Sequence, residues 1–362
     1  MNFALRTAFT LVLAWAAALL CVALHTPLPW MIGPLVATAL CSMAGAPTAS
    51  WNPLRNLGQW TMGTALGLYF TPHVARMVGS LWWAIALGVV WALLLGWLFG
   101  AWLYRRHAAA MPQVPAQHMR ATTYFAGAIG AASEMTLLAE KAHARTDLVA
   151  ASHSLRVLIV TLSIPFALQW LGVQPLPDLM PAAIRAVQPG GLALLALLTL
   201  CGVGLMLRTG RPNPWFLGAL GVSVALTVAD VQLSALPTSW VNAAQLVIGV
   251  SLGVRFRREF LHAAPAWLGS VTVGTLGLMV VCAAFAWALH WATGLPWVTL
   301  VLGTSPGGIA EMAITAKVLQ LGVPVVTAFQ VCRLMAVLLL VEPLFRRLYP
   351  TPPTGETVAA VR

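Results

Sequence analysis

Four ionisable residues stand in stretches that are otherwise apolar: Glu134, Arg156, Glu311 and Arg333. Each acid precedes its base by 22 residues, and the second pair repeats the first at an offset of 177. A charge near a bilayer centre costs roughly 2.5–3.5 kcal/mol on insertion scales, so it is retained where it is partnered or useful. A carboxylate there can bind a proton or a cation, and a guanidinium can hold an anionic group. The spacing predicts that Glu134 lies against Arg156, and Glu311 against Arg333, as two related ion pairs. The structural alternative is two buried pairs that only set register. Around Glu311 the run is Ser305-Pro306-Gly307-Gly308-Ile309-Ala310-Glu311-Met312. Pro-Gly-Gly opening a helix leaves backbone N–H groups free at a positive dipole end, which suits an anion. The first-half counterpart, residues 128–135, lacks the proline and the second glycine. The two sites are therefore expected to differ.

The elements that must position these residues follow from composition. Of 362 residues, 8% are charged and 60% are apolar. A soluble chain carries about 25% charged residues, so this one could not cover a soluble surface. A cytosolic enzyme, a disordered chain and a disulfide scaffold are excluded, and a polytopic all-α membrane protein remains. The net charge is +11, but the basic residues form no dense patch. Orientation by cytoplasmic positive charge accounts for them better than nucleic acid does. The cysteines all lie in apolar runs without a CxxC pair, which indicates packing.

Apolar runs fall at 8–25, 28–46, 54–74, 79–104, 121–142 and 147–172, then at 190–208, 213–233, 238–256, 264–292, 297–319 and 323–347. The first run could pass for a signal peptide, but it recurs at 190–208 and so belongs to the fold. Three blocks repeat in order. Pro27, Pro29, Trp30 and Gly33 match Pro212, Pro214, Trp215 and Gly218. Gln59, Gly63 and Gly67 match Gln245, Gly249 and Gly253. Gly130, Glu134, Met135 and Arg156 match Gly307, Glu311, Met312 and Arg333. The chain is thus expected to be a duplication, with repeats at 1–180 and 181–350 and a cytoplasmic tail at 351–362. Gln59 and Gln245 sit beside small-xxx-small glycines that favour close helix packing. An amide at a solute site is the other reading of those glutamines.

Charge gives the relative orientation of the halves. Suppose 121–142 and 297–319 are re-entrant or broken elements and the other ten runs span. Then fifteen of the 20 Lys and Arg fall on one side, and Arg76, Arg185 and Lys317 on the other. Arg156 and Arg333 stay within the membrane. The expected layout is two inverted repeats, about ten transmembrane helices and two re-entrant or broken helices. Both termini are expected in the cytoplasm, in a bacterial inner (plasma) membrane. Broken helices in inverted repeats point to a transporter site. Glu134 and Glu311 would bind the coupling proton or cation. Arg156 and Arg333 would hold an anionic group or return the charge, and Gly307 and Gly308 would donate backbone N–H groups.

The Ser-Pro-Gly-Gly-Ile-Ala-Glu-Met run, the Gln330-x-x-Arg333 step, the Pro-Trp-x-x-Gly motifs and the duplication resemble the AbrB family of membrane proteins, over roughly residues 10–348. The resemblance implies a multi-pass membrane protein; family members carry the labels ammonia monooxygenase and regulator of gene expression. Where the family pattern has glutamine before arginine, the first half has His153. It could add a titratable group near Glu134 and Arg156, or serve as a packing histidine. The eight histidines show no HxH or HxxxH spacing, whereas copper or iron needs clustered ligands. No Walker loop, nucleophile elbow or dinucleotide fingerprint appears either. No enzyme activity, cofactor or metal is expected. The lipid bilayer and a small solute are the expected partners, with no nucleic acid. A membrane-embedded regulator acting indirectly is the rival to a secondary-transporter-like carrier.

Overall fold

The computed structural model describes residues 2–176, 186–210, 213–256 and 265–350. The basic pair Arg257 and Arg258 and the tail 351–362 lie outside them. Among the described residues there are fifteen helices and no strand. They are α1 Phe3–Ala23, α2 Pro29–Met43, α3 Asn52–Gly67, α4 Pro72–Ser80, α5 Trp82–His107, α6 Ala116–Gly127, α7 Ala132–Lys141 and α8 Thr146–Trp170. There follow α9 Pro189–Arg208, α10 Pro214–Val228, α11 Thr238–Gly253, α12 Pro265–Thr293, α13 Trp297–Thr304, α14 Ile309–Val318 and α15 Val323–Leu348. Six of them, α1, α5, α8, α9, α12 and α15, are long and apolar enough to cross a membrane, and α2 and α10 are shorter apolar helices. Their outward faces carry large apolar side chains such as Trp15, Trp82, Leu205 and Val280, as lipid contact requires. The short helix α4 was not foreseen. It begins at Pro72 under a Thr71 cap and lies between two of the expected apolar runs.

The repeated motifs do the same local work in both halves. Pro29 and Pro214 open α2 and α10 in the first helical turn, where the missing N–H costs nothing. Gly33 packs against the backbone at Ala17 of α1, and Gly218 against Gly202 of α9. The glycines of the small-xxx-small motifs make the joints between the halves. A Cβ at Gly63 would meet the backbone of Phe216 and Leu220 on α10, and one at Gly249 would meet that of Met31 and Leu35 on α2. Each contact is the counterpart of the other, so α3 packs on α10 as α11 packs on α2. An apolar core joins α2, α3, α10 and α11 to α13 and α14. A second joins α5 to α8 with α12 and α15.

The two glutamate-bearing segments are broken, and each folds back on itself. The first is helical to Gly127 and again from Ala132; the second breaks between Thr304 and Ile309. The start of α6 meets the end of α7: the rings of His118 and His143 are 5.9 Å apart. The Thr122 hydroxyl also accepts from the Arg145 amide (3.0 Å). In the second segment Thr299, at the start of α13, donates to the Leu321 carbonyl beyond α14 (3.0 Å). A continuous helix of that length would hold these ends more than about 30 Å apart at 1.5 Å per residue. Both segments are therefore helical hairpins with a non-helical tip.

The glycine joints give a direct test. Gly249→Val places a side chain into the α2 backbone, and overpacking of this kind should cost about 1–3 kcal/mol. Gly204, on α9, has open space around its Cβ position. Gly204→Ala should be neutral or mildly stabilising, because glycine weakens a helix interior by roughly 0.5–1 kcal/mol. Melting midpoints of the two purified variants should therefore move in different directions, or only the first should move.

Candidate functional site

The two hairpin tips and the two buried arginines surround one cavity of roughly 130 Å³. It is much smaller than the about 300–1,000 Å³ of sites for drug-sized ligands, so it has room for a small solute only. The arginines do not pair with the glutamates. Among the described residues the ion pairs are Arg145–Asp147 at 2.6 Å and Arg346–Glu342 at 2.5 Å, both away from the cavity. The expected pairs Glu134–Arg156 and Glu311–Arg333 are thus corrected. Arg255 lines the same cavity as the Glu311 carboxylate.

The arginines instead serve the ends of the broken helices. A helix that stops leaves its last carbonyls without N–H partners, and these stops are buried. Arg156 donates to the carbonyls of Ala126 (3.4 Å), Gly127 (3.2 Å) and Ala128 (2.8 Å). Arg333 donates to those of Ser305 (2.5 Å) and Gly307 (2.7 Å). A cation also suits the negative end of the helix dipole. The reason ion pairing failed as an expectation is that carbonyls at a helix stop compete for the same N–H groups, and the tertiary packing brings them within reach of the guanidinium groups.

His153 and Gln330 occupy equivalent places behind the arginines. Gln330 donates through Nε2 to the Leu302 carbonyl (2.7 Å) and accepts from Arg333 through Oε1 (2.7 Å). His153 contacts the Phe125 carbonyl through Nε2 (2.9 Å) and Arg156 through Nδ1 (2.8 Å). A carbonyl can only accept, so Nε2 carries the proton and Nδ1 takes the arginine N–H. The neutral imidazole reproduces the donor–acceptor pair of the glutamine amide. The sequence left His153 open between titration and packing; its contacts make it an orienter of Arg156.

The other sides of the breaks behave differently. The first intrahelical bonds are from the Met135 amide to Ala131 (3.0 Å) and from Met312 to Gly308 (3.1 Å). The three amides before each of these have no partner within their helix, and neither helix has a side-chain cap at its N-cap residue. Residues of both first turns line the cavity. Glu311 is the third residue of α14, and its carboxylate folds back over Gly308 into the place a Cβ would take. The equivalent of Gly308 is Ala131, whose methyl group fills that place. Glu134 accordingly stays half-buried and does not line the cavity, whereas Glu311 is 8% exposed and does.

Of the sequence candidates, the cavity gathers Arg156, Arg333, Pro306, Gly307, Gly308, Glu311 and Gln59. His153 and Gln330 stand behind it, and Gln245 is buried in α11 away from the lining. Sequence reasoning missed Arg55 and Arg255, which line the cavity from α3 and from just beyond α11. Arg55 stands one helical turn before Gln59, a spacing that puts both on one face. Arg255 was read only as a marker of orientation.

Fold and cavity together define a protein of membrane type, all-helical among the described residues, with the tips of two helical hairpins meeting at a polar cavity. The chain belongs to the AbrB family: the family model described as "Transition state regulatory protein AbrB" matches residues 30–349. It is 26% identical over 345 residues to "Uncharacterized protein YhjN" of Bacillus subtilis (strain 168), covering 88% of this chain and 87% of that one. It is 25% identical over 324 residues to "Putative regulator AbrB" of Escherichia coli (strain K12), covering 88% and 89%.

The amide-like role of His153 can be checked by substitution. His153→Gln restores a donor and an acceptor at the same place and should leave the melting midpoint nearly unchanged. His153→Leu strands the Phe125 carbonyl and one N–H of Arg156, each buried unsatisfied group costing about 1–3 kcal/mol. Arg333→Gln should be costly in the same way, and adding Glu311→Gln should not rescue it, because the two are not an ion pair.

Proposed function

We propose that this protein is a membrane carrier of the secondary-transporter type, moving a small solute through the cavity between its two hairpin tips. The observation that carries the reading is the meeting of two oppositely entering hairpins at one buried polar cavity. The ends of the α6–α7 hairpin lie at Arg145, just before α8. The Leu176 amide, beyond the other end of α8, bonds to the Gln320 carbonyl (2.9 Å) at the base of the α13–α14 hairpin. The 25 residues of α8 separate these points by roughly 37 Å. Irregular backbone at membrane depth is tolerated only inside protein or at a watery cavity.

On this reading the chain is two inverted repeats with ten spanning helices and two re-entrant hairpins. The bonds between helix ends support that count. The Arg6 side chain reaches the Thr48 carbonyl (3.0 Å), and the Gln169 side chain reaches that of His25 (3.0 Å). The first contact joins ends on the side rich in Lys and Arg, the second joins ends on the other. The basic side is the cytoplasmic one, which puts both termini in the cytoplasm of a cell whose plasma membrane holds the protein. The reading assigns no catalytic chemistry. A regulatory effect, which the name of the Escherichia coli relative suggests, would follow indirectly from the movement of a metabolite.

Glu311 is the coupling group, since among the described residues it is the one that brings a carboxylate to the cavity. A carboxylate that accepts a proton or cation on one side and releases it on the other can link solute movement to an ion gradient.

Two measurements test the proposal. Single cysteines placed next to Arg55 and next to His25 should label from opposite faces of the membrane. Labelling of both from the same face would refute the inverted layout. In proteoliposomes, Glu311→Gln should insert and fold but lose gradient-driven uptake, with solute exchange retained. Equal gradient-driven uptake by variant and parent would remove the coupling role.

A further inference from the structure

The two hairpins end in equivalent seats, and only one of them is covered by the protein's own carboxylate. At α14 the Glu311 carboxylate lies over the free amides of the first turn, because Gly308 leaves room for it. At α7 the equivalent amides are those of Ala132, Ser133 and Glu134; Ala132 and Ser133 line the same cavity, and among the described residues this first turn has no side-chain cap. Ala131 blocks the conformation that Glu134 would need.

Charge in the cavity points the same way. Among the described residues four guanidinium groups line it, Arg55, Arg156, Arg255 and Arg333, against one carboxylate. Arg156 is 2% exposed and Arg333 is 6% exposed. Both spend their terminal nitrogens on helix carbonyls, yet each keeps a buried Nε–H with no hydrogen-bond partner. Arg55 also has a buried Nε without a partner. These Nε atoms have almost no accessible surface, so an anion in the cavity would meet the positive charge of the guanidinium groups rather than these N–H groups.

We infer that the solute is a small carboxylate, seated at the N-terminus of α7 and held from the opposite wall by Arg55 and Arg255. The ligand does at α7 what Glu311 does at α14. Glu311 is then a fixed negative charge beside the bound anion, so it weakens the anion's binding until it is neutralised. That relation ties solute and coupling ion together without any direct contact between them. The inference rests on the carrier reading for its physiological meaning, but binding can be measured without a gradient or a membrane.

The test uses the purified full-length protein in detergent. Acetate, succinate, sulfate and methylammonium are titrated separately at constant ionic strength, read by tryptophan fluorescence and by the melting midpoint. Saturable binding of acetate or succinate, with none of methylammonium, is the expected result. Arg255→Gln should weaken that binding roughly tenfold, the loss of one charge-assisted contact. Arg255→Lys, which keeps the charge, should weaken it less. Glu311→Gln should tighten it several-fold. Binding of methylammonium in place of the carboxylates would overturn the inference. So would sulfate binding as tightly as the carboxylates, or a loss of binding in Glu311→Gln. The parent's own selectivity is informative even if a variant fails to fold. Carboxylate binding without uptake would count against the carrier alone, and gradient-driven uptake of a cation against the carboxylate alone.

Discussion

The carbonyl groups at the buried stops of α6 and α13 are the constraint on which the centre of this protein depends. A helix cannot end inside an apolar medium unless its last acceptors find donors. Arg156 and Arg333 supply them, each from a neighbouring long helix. Without that cation at each stop, neither hairpin tip could sit at depth, and the cavity between the tips would have no walls. His153 and Gln330 then fix the rotamer of each arginine by one accepted N–H, while anchoring themselves to a carbonyl of the same stop.

The same arrangement leaves the first turns of α7 and α14 at the cavity, that of α14 beneath the Glu311 carboxylate. The guanidinium groups of Arg156 and Arg333 offset the negative ends across the break, so the charge left among the described residues of the cavity is that of Arg55, Arg255 and the Glu311 carboxylate, together with the two N-terminal turns. A single methyl group then makes the halves unequal. Glycine at 308 lets a carboxylate close over its helix, and alanine at 131 does not. The two hairpin tips are alike in sequence and local geometry, and this difference brings a carboxylate to the cavity at one of them and not at the other.

The rest of the molecule holds these tips in register. Gly63 and Gly249 bring the halves into backbone contact through reciprocal crossings, α3 on α10 and α11 on α2. These helices are shorter than the six long apolar ones and more buried. The long helices present lipid-facing leucine, valine and tryptophan outward and enclose the hairpins on the inside.

Much of this could be read from the residues alone. Scarcity of charge dictates a membrane-type helical chain, because so apolar a surface needs lipid around it. The recurrence of rare polar residues at constant offsets marks the motifs that meet at the cavity, and Pro-Gly-Gly before Glu311 marks a helix break. Composition has no way to tell a spanning broken helix from a hairpin. That was decided by the contacts of His118 with His143 and of Thr299 with Leu321, which lie far apart in the chain. Nor does spacing tell what a buried arginine binds. A carboxylate 22 residues away and a helix stop nearly 30 residues away are both plausible partners on paper, and only the tertiary packing places the carbonyls first. Arg255 likewise reads as an orientation signal in the sequence, and becomes part of the cavity only because α11 ends there beside α14.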